Sequence, residues 1–364
     1  MKNLFAVFLI MVGQLSRANM ASPVREGTFS SSAFSSRTID ILKEKISISL
    51  DSHFNTAFFS VEYIIKTDTE GNQIPLLFHA MDYHGEFKVW VDDKEITILP
   101  TPKEYFEITN SVFQNFAHIF HGSNQVTIYW DEHSGFVYTI NDLKYFEAFL
   151  SKGEHKIRVG YMANAWTDLH QWIKNYSLRY SLSPAKFWKS FGTLEVTLDA
   201  AKFRKHITTN LGKPAFGKTD STAVWIFKKL PGNNIEINYT PQISSKAKML
   251  LNIGTDNLTL FFALAVVIIH IIFTRRFRKH NLHNKYSWVL ISGSLVIPFV
   301  VLFFNMYSYT LIDNAIGEEA SRYHGYTFFI MVLYPVVMPF YWLLMWLLDK
   351  FHKKSLITKS ILPN

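Results

Sequence analysis

Tyr176-Ser177-Leu178-Arg179-Tyr180-Ser181-Leu182 alternates large apolar and polar residues without a break. In an extended chain successive side chains point to opposite faces, so this run reads as a strand with one face on a core and the other in water. Working outward, the same period of two returns in Ile157, Val159 and Tyr161, in Leu194, Val196 and Leu198, and in Ile235, Ile237 and Tyr239. Val89 and Val91, then Asp92-Asp93-Lys94-Glu95, then Ile96 and Ile98 read as a hairpin with a polar turn. Glu70-Gly71-Asn72, Lys152-Gly153 and Pro231-Gly232-Asn233-Asn234 supply further turns. Many short strands with aromatic and β-branched faces predict a mainly β, sandwich-like domain over residues 39–245, as one or two units, with a subdivision near 162–175 where the alternation pauses. Short helical insertions are expected at Phe106–Phe120 and at Pro184–Phe191, the latter with Ser183 as N-cap and Gly192 as its stop.

Further out on both sides the composition changes. Met1-Lys2-Asn3 precedes the apolar stretch Leu4–Val12, and Ser16-Arg17-Ala18 follows with small residues where a signal peptidase requires them. The stretch fits the roughly 7–15 residues of a signal-peptide core and falls short of the roughly 17 needed to span a bilayer. Residues 1–18 are therefore expected to be a cleaved signal peptide, and 19–38 a flexible leader. Toward the other end, 258–274, 287–312 and 326–348 are apolar runs long enough to cross a membrane as helices. Three transmembrane α-helices thus follow the β domain.

The formal net charge is +8, and the sequence contains no cysteine. Arg275, Arg276, Arg278, Lys279 and Lys285 lie between the first two apolar runs, and Lys350, Lys353, Lys354 and Lys359 follow the third beside Asp349. These groups account for the whole excess, so the basicity marks topology and no nucleic-acid partner is expected. An exported N-terminus and the positive-inside rule agree on one arrangement: the loop 275–286 and the tail 349–364 are cytoplasmic, and the loop 313–325 lies outside. The expected location is the bacterial cytoplasmic (inner) membrane, with the large N-terminal domain on the extracytoplasmic side. Lack of cysteine removes disulfides, thiolate zinc sites and cysteine nucleophiles.

The run Ile157-Arg158-Val159-Gly160-Tyr161, then Tyr176 through Leu182 to Ser183-Pro184-Ala185-Lys186-Phe187-Trp188, then Leu194-Glu195-Val196-Thr197-Leu198 resembles a segment of exported bacterial membrane proteins of uncharacterised function. The resemblance covers about a quarter of the chain. It implies a β-sandwich ectodomain ahead of a C-terminal membrane region, and it brings no catalytic residues with it.

Candidate chemistry is sparse. His79, Asp82 and His84 could supply two imidazoles and a carboxylate to a divalent metal, but on an extended strand His79 points away from the other two. Asp131, Glu132 and His133 invite an acid–base role, although neighbours in a turn rarely face one point. His118 and His121 would share a helical face with Phe116 and Phe120, which favours packing. Trp166, Trp172, Phe187, Trp188 and Phe191 concentrate rings around polar residues and could form a carbohydrate or peptide contact surface. In the apolar runs His270 is placed to reach lipid headgroups, Asn305 is the strongly polar residue inside the second, Pro298, Pro335 and Pro339 can kink, and Ser292-Gly293-Ser294 permits close helix contact. HExxH, GxSxG and GxxxxGK[ST] do not occur. The chain accordingly reads as a non-catalytic membrane-anchored binding or assembly protein without cofactors, its partners the lipid bilayer and other membrane or envelope proteins. The alternatives are a membrane-bound envelope enzyme, such as a metal-dependent hydrolase, and a subunit of a sensor or transport complex.

Overall fold

The computed structural model describes residues 24–25, 29–31, 39–81, 83–99, 117–119, 124–129, 135–139, 142–182, 185 and 188–361. The predicted signal peptide, most of the leader and most of the two helical insertions lie outside the described residues. Two compact units result: a β unit over Pro23–His170 and Asn175–Thr240, and a helical unit that includes Gln171–Lys174 and the chain from Pro241.

In the β unit one sheet runs β17 (Phe216–Gly217), β18 (Thr222–Phe227), β15 (Ser190–Asp199), β3 (Ile39–Leu50), β4 (Thr56–Thr67), β12 (Gly153–Asn164), β6 (His84–Val91), β7 (Lys94–Ile96). A second runs β1 (Val24–Arg25), β13 (Trp166–Asp168), β14 (Asn175–Ser181), β2 (Phe29–Ser31), β5 (Gly71–Met81), β11 (Leu143–Leu150). Here β19 (Asn234–Tyr239) also pairs with β14, and β16 (Thr208–Thr209) with β19. A small third sheet holds β10 (Gly135–Thr139), β9 (Gln125–Tyr129) and β8 (Ala117–Ile119). Ala117–Ile119, including His118, is thus strand where a helical insertion was expected.

The alternation seen in the sequence is the alternation of burial in β15 and β19, whereas in β14 Ser177 and Ser181, expected to face water, are buried along with Leu178 and Tyr180. Ile157, Val159 and Tyr161, Leu194, Val196 and Leu198, and Ile235, Ile237 and Tyr239 all enter one core. Each fully buried aliphatic side chain is worth roughly 1.5–3 kcal/mol, so this shared face holds the sheets together. The chain on both sides of 162–175 contributes: Tyr161 and Tyr180 each stack on Phe59, at 5.4 and 6.0 Å between ring centroids. The β unit is therefore one sandwich, with mixed and open sheets. Trp188 is buried in the same core, stacked 6.2 Å from Tyr63.

Two local features set the register. Asp92 and Asp93 have φ of 49° and 64° and form the two-residue turn between β6 and β7, with Val91 paired to Lys94. Positive φ at both central positions gives a turn whose twist matches that of the strands, and aspartate tolerates it. In β3 the pairing with β4 slips between Ile41 and Lys43. The extra residue, Leu42, lets Ile41 and Glu44 both face inward, so the buried set changes phase from 39 and 41 to 44, 46, 48 and 50. A Cβ on Gly192 would lie 2.0 Å from the Leu42 carbonyl oxygen, so only glycine lets β15 run past the bulge. Gly192, the residue expected to stop a helix, thus lies inside β15, which begins at Ser190.

The helical unit contains α1 (Ser245–His280), α2 (Trp288–Ile316), a 3₁₀ helix (Thr327–Leu333) and α3 (Tyr334–Ile361). Three helices among the described residues are long and apolar enough to cross a membrane. Phe261, Ile272, Val296 and Phe299 leave their side chains outward and exposed, as lipid-facing residues do. This is a multi-pass membrane anchor joined to a β domain. Ser244 caps α1 by accepting from the Ala247 amide at 3.2 Å, and Ser287 caps α2 through the Leu290 amide at 3.3 Å. Gly254, at φ 74° and ψ 162°, breaks α1 near its start. The third apolar run is not one α-helix: Pro335 has no N–H for the Met331 carbonyl, and the chain ahead of it tightens into the 3₁₀ helix.

Candidate functional site

The polar interior of the helical unit is built one side chain at a time. On α1 and α2, Asn305 donates to Thr259 Oγ1 at 3.1 Å, and Thr259 donates in turn to the Thr255 carbonyl at 2.7 Å. His270 does not reach outward as expected. It is buried, with Nδ1 2.8 Å from the Tyr341 hydroxyl and Nε2 3.1 Å from the Val289 carbonyl. The cause is Gly293: a Cβ there would come within 2.1 Å of His270 Nε2, so the imidazole occupies the notch that glycine leaves. Ser292-Gly293-Ser294 does permit the close helix contact read from the sequence. Arg278, expected only to mark topology, is 3% exposed and grips Asp349 at 2.7 and 2.5 Å in a two-pronged ion pair. It also donates to the Asn284 carbonyl at 2.8 Å, and Lys353 does so at 3.0 Å.

The richest cluster forms around Asp313, in the last turn of α2 and buried at 3% exposure. Gly317, at φ 94°, ends the helix and turns the chain back. That return lets Ser321 Oγ donate to Asp313 Oδ1 at 2.6 Å and the His324 amide to Oδ2 at 3.2 Å. His324 Nδ1 lies 3.1 Å from the same carboxylate, while Arg322 Nε donates to His324 Nε2 at 2.9 Å. Because Nε2 accepts, the imidazole is neutral and carries its proton on Nδ1, donating it to Asp313. A neutral ring thus sits between a carboxylate and a guanidinium. Burial draws the Arg322 guanidinium below its ordinary range, against the opposing pull of Asp313 and Tyr309.

This cluster holds a segment of chain. Ile173 forms a β-bridge with Ser321, Arg322 N–H donates to the Trp172 carbonyl at 3.2 Å, and Lys174 N–H donates to that of Ala320 at 2.8 Å. The Trp172 ring stacks on Tyr309 at 5.6 Å and meets the His324 ring at 3.9 Å. Lys174 Nζ reaches the Glu318 carbonyl at 3.0 Å. Ser321 donates to the carboxylate, not to the imidazole, so the arrangement activates no nucleophile. What it does is clamp Gln171–Lys174 by a bridge, a ring stack and a buried Asp–His pair.

The other expected site residues that are described lie on several elements. Trp166 lies on β13, half-buried, with the Arg179 guanidinium 4.9 Å from its ring centroid, and Arg179 reaches Glu236 at 3.8 Å. Trp166 belongs to the β unit and Trp172 to the helical unit, while Trp188 fills the sandwich core and is closed to a ligand. Phe187 lies outside the described residues, as do Asp82, Asp131, Glu132, His133 and His121. His79 is on β5, paired with Leu143, and His84 on β6, paired with Met162. Among the described residues no three metal-binding side chains converge. Arg275, Arg276, Lys279, Lys350 and Lys354 are exposed. The Asp313 cluster escaped sequence reading because its members, Trp172, Tyr309, Asp313, Ser321 and His324, follow no recurrent spacing.

No family model and no curated relative matches the sequence. Among solved structures the chain is similar to a candidate nutrient binding protein of Legionella pneumophila, at 13% identity and a TM-score of 0.41, over 60% of this chain and 72% of that one. It is also similar to an M1 zinc metallopeptidase of Deinococcus radiodurans, at 7% identity and a TM-score of 0.29, over 58% of this chain and 46% of that one. Leukotriene A4 hydrolase of Saccharomyces cerevisiae follows, at 8% identity and a TM-score of 0.29, over 56% of this chain and 29% of that one. The chain spans less than half the length of either of these last two structures.

Proposed function

We propose that this chain is a membrane-anchored binding or assembly protein of the bacterial cell envelope. Its β sandwich stands on the extracytoplasmic side of the inner membrane, and its helices meet other membrane proteins as well as lipid. One observation carries the sidedness: the basic ends of α1 and α3 come together at one end of the helical unit, tied by Arg278 to Asp349 and by Lys353 to the Asn284 carbonyl. Positive charge gathered at one end of a set of spans is retained on the cytoplasmic side. With α1 running inward, the sandwich that precedes it is outside, and the clamp around Asp313 lies in the loop between outward- and inward-running spans. The binding role draws on a sandwich whose interior is filled by side chains, so that a partner meets its surface, and on more spans than tethering alone requires.

A reporter enzyme fused within Arg275–Lys285 should be active only when the reporter works in the cytoplasm, and activity confined to the outer side would overturn the proposal. Purification of the intact chain in mild detergent should recover a defined partner in stoichiometric amount, and recovery solely as a monomer counts against the assembly role.

A further inference from the structure

The outer face of the larger sheet carries an aromatic patch that the packing of the sandwich does not require. Phe59, Val61, Val89, Val91, Ile157 and Val159 turn into the core, so Phe58, Trp90 and Arg158 between them point out of the sandwich. Phe58 on β4 is 45% exposed, and Trp90 on β6 is half-buried. Gly160 stands between them on β12, where a Cβ would lie 3.4 Å from Phe58 Cζ and 3.5 Å from Trp90 Cζ3. A side chain larger than a methyl would part the rings. Glycine lets both reach over the same backbone atom from opposite sides, and Met162, opposite Phe58 in register, extends the strip. Three strands thus share one outward apolar surface.

Two charged groups border it. The Arg158 guanidinium lies 4.5 Å from the Trp90 ring centroid, held there by cation–π attraction. Its register partner on β4 is Glu62. Opposite charges directly across two strands attract, yet Arg158 and Glu62 form no ion pair or hydrogen bond with each other or with any other described residue. Lys45, paired with Glu62 from β3, turns to Glu195 at 3.4 Å. A guanidinium fork and a carboxylate, both unpaired, therefore flank the two rings.

This combination selects among ligands. A phosphate or an acidic peptide would meet Glu62, and like charges repel. A purely apolar ligand would take both charged groups out of water without a compensating hydrogen bond. A stable protein partner covers about 800 Å², whereas two part-exposed rings offer about 200 Å². A neutral sugar suits every group present. Its hydroxyls accept from the guanidinium and donate to the carboxylate, and its positively polarised C–H face lies on the negative face of an aromatic ring. We propose that Phe58, Trp90, Arg158 and Glu62 form a binding site for a neutral carbohydrate on the outer face of the β sandwich. The site rests on the binding role proposed above, to which it gives a ligand class.

The test is isothermal titration calorimetry of the full chain in a detergent without a sugar headgroup, with maltohexaose, cellohexaose and chitohexaose as probes. At least one should bind with a Kd below about 1 mM, and Trp90→Ala should weaken it about tenfold through loss of one aromatic contact. Arg158→Lys keeps the charge but loses the fork, and should also cost about tenfold. Gly160→Val should weaken binding as much by parting the rings. Phe216→Ala removes a ring 65% exposed on β17 of the same sheet and should change the affinity less than about twofold. No binding of any of the three probes, or an equal loss in Phe216→Ala and Trp90→Ala, overturns the site. Tighter binding of anionic hexagalacturonate than of the neutral probes, or a gain in Glu62→Gln, refutes the neutral assignment. Loss of a co-purified protein in Trp90→Ala with no sugar bound would make this face a protein interface and refute the carbohydrate. Binding in detergent is independent of orientation in a membrane, so this site and the proposed sidedness fail separately. Unchanged unfolding midpoints show that the variants fold.

Discussion

Replacing Asp349 by alanine should be the most damaging single change in the helical unit. Arg278 is 3% exposed and Asp349 7%, and two charge-assisted hydrogen bonds join them at 2.7 and 2.5 Å. Removing the carboxylate leaves a buried guanidinium with one carbonyl partner, that of Asn284 at 2.8 Å. Two charged hydrogen bonds at roughly 1.5–3 kcal/mol each set the upper range, and breaking buried ion pairs by truncating one partner costs about 3–5 kcal/mol. About 4 kcal/mol is expected, close to a thousandfold change in the unfolding equilibrium, less whatever the arginine recovers by snorkelling toward water. Arg278→Met with Asp349→Leu should restore most of the loss, because desolvating two charges offsets much of what they gain from each other. The assay is denaturant unfolding of the intact chain in micelles, with both single variants and the double variant completing a cycle. A loss below about 1 kcal/mol for Asp349→Ala, or a double variant no better than the single, would refute the reasoning.

Gly192→Ala should destabilise the β unit by about 3 kcal/mol, since the new methyl would meet the Leu42 carbonyl at 2.0 Å and β15 would have to move off β3; an unchanged unfolding midpoint would count against the bulge argument. His155 is buried, with Nδ1 2.7 Å from Asp92 and Nε2 2.7 Å from the Ser151 carbonyl, so both nitrogens donate and the ring is charged. Burial alone would lower its pKa, but the hydrogen bonds to Asp92 and Ser151 raise it above 6.5. Asp92, which burial alone would raise, is held below 3.8 by His155 and the Lys156 amide. The folded imidazole binds its proton more tightly than the unfolded one, so this stability is complete below pH 6.5 and is lost as pH rises through the folded value. The Asp92 share is lost as pH falls below 3.8. With Asp92 52% exposed, about 1 kcal/mol is expected from the pair after solvent screening, and His155→Gln should flatten the alkaline decline of the unfolding midpoint. Trp172→Ala should loosen the Asp313 clamp by about 2 kcal/mol, seen as roughly thirtyfold faster hydrogen exchange at the Lys174 and Arg322 amides, while Trp172→Phe keeps most of the protection; unaltered exchange in the alanine variant would contradict the clamp.

The linear order of residues was enough for what depends on one segment at a time. Period-two alternation at Ile157–Tyr161, Leu194–Leu198 and Ile235–Tyr239 placed the core faces of three strands, because side-chain direction in an extended chain is set by the backbone. Apolar length placed the membrane helices, because a bilayer asks nothing finer of a span. Tertiary structure decided whatever depends on two distant segments meeting. Leu42 could be seen as a bulge only with Gly192 opposite it, and His270 looked like a headgroup contact until the Gly293 notch and Tyr341 enclosed it. Arg278 read as one positive charge among several until Asp349, 71 positions away, took both of its prongs. Trp172, Asp313 and His324 carry no mutual spacing, so their convergence is a property of the packed helical unit, in which distance along the chain no longer measures distance in space.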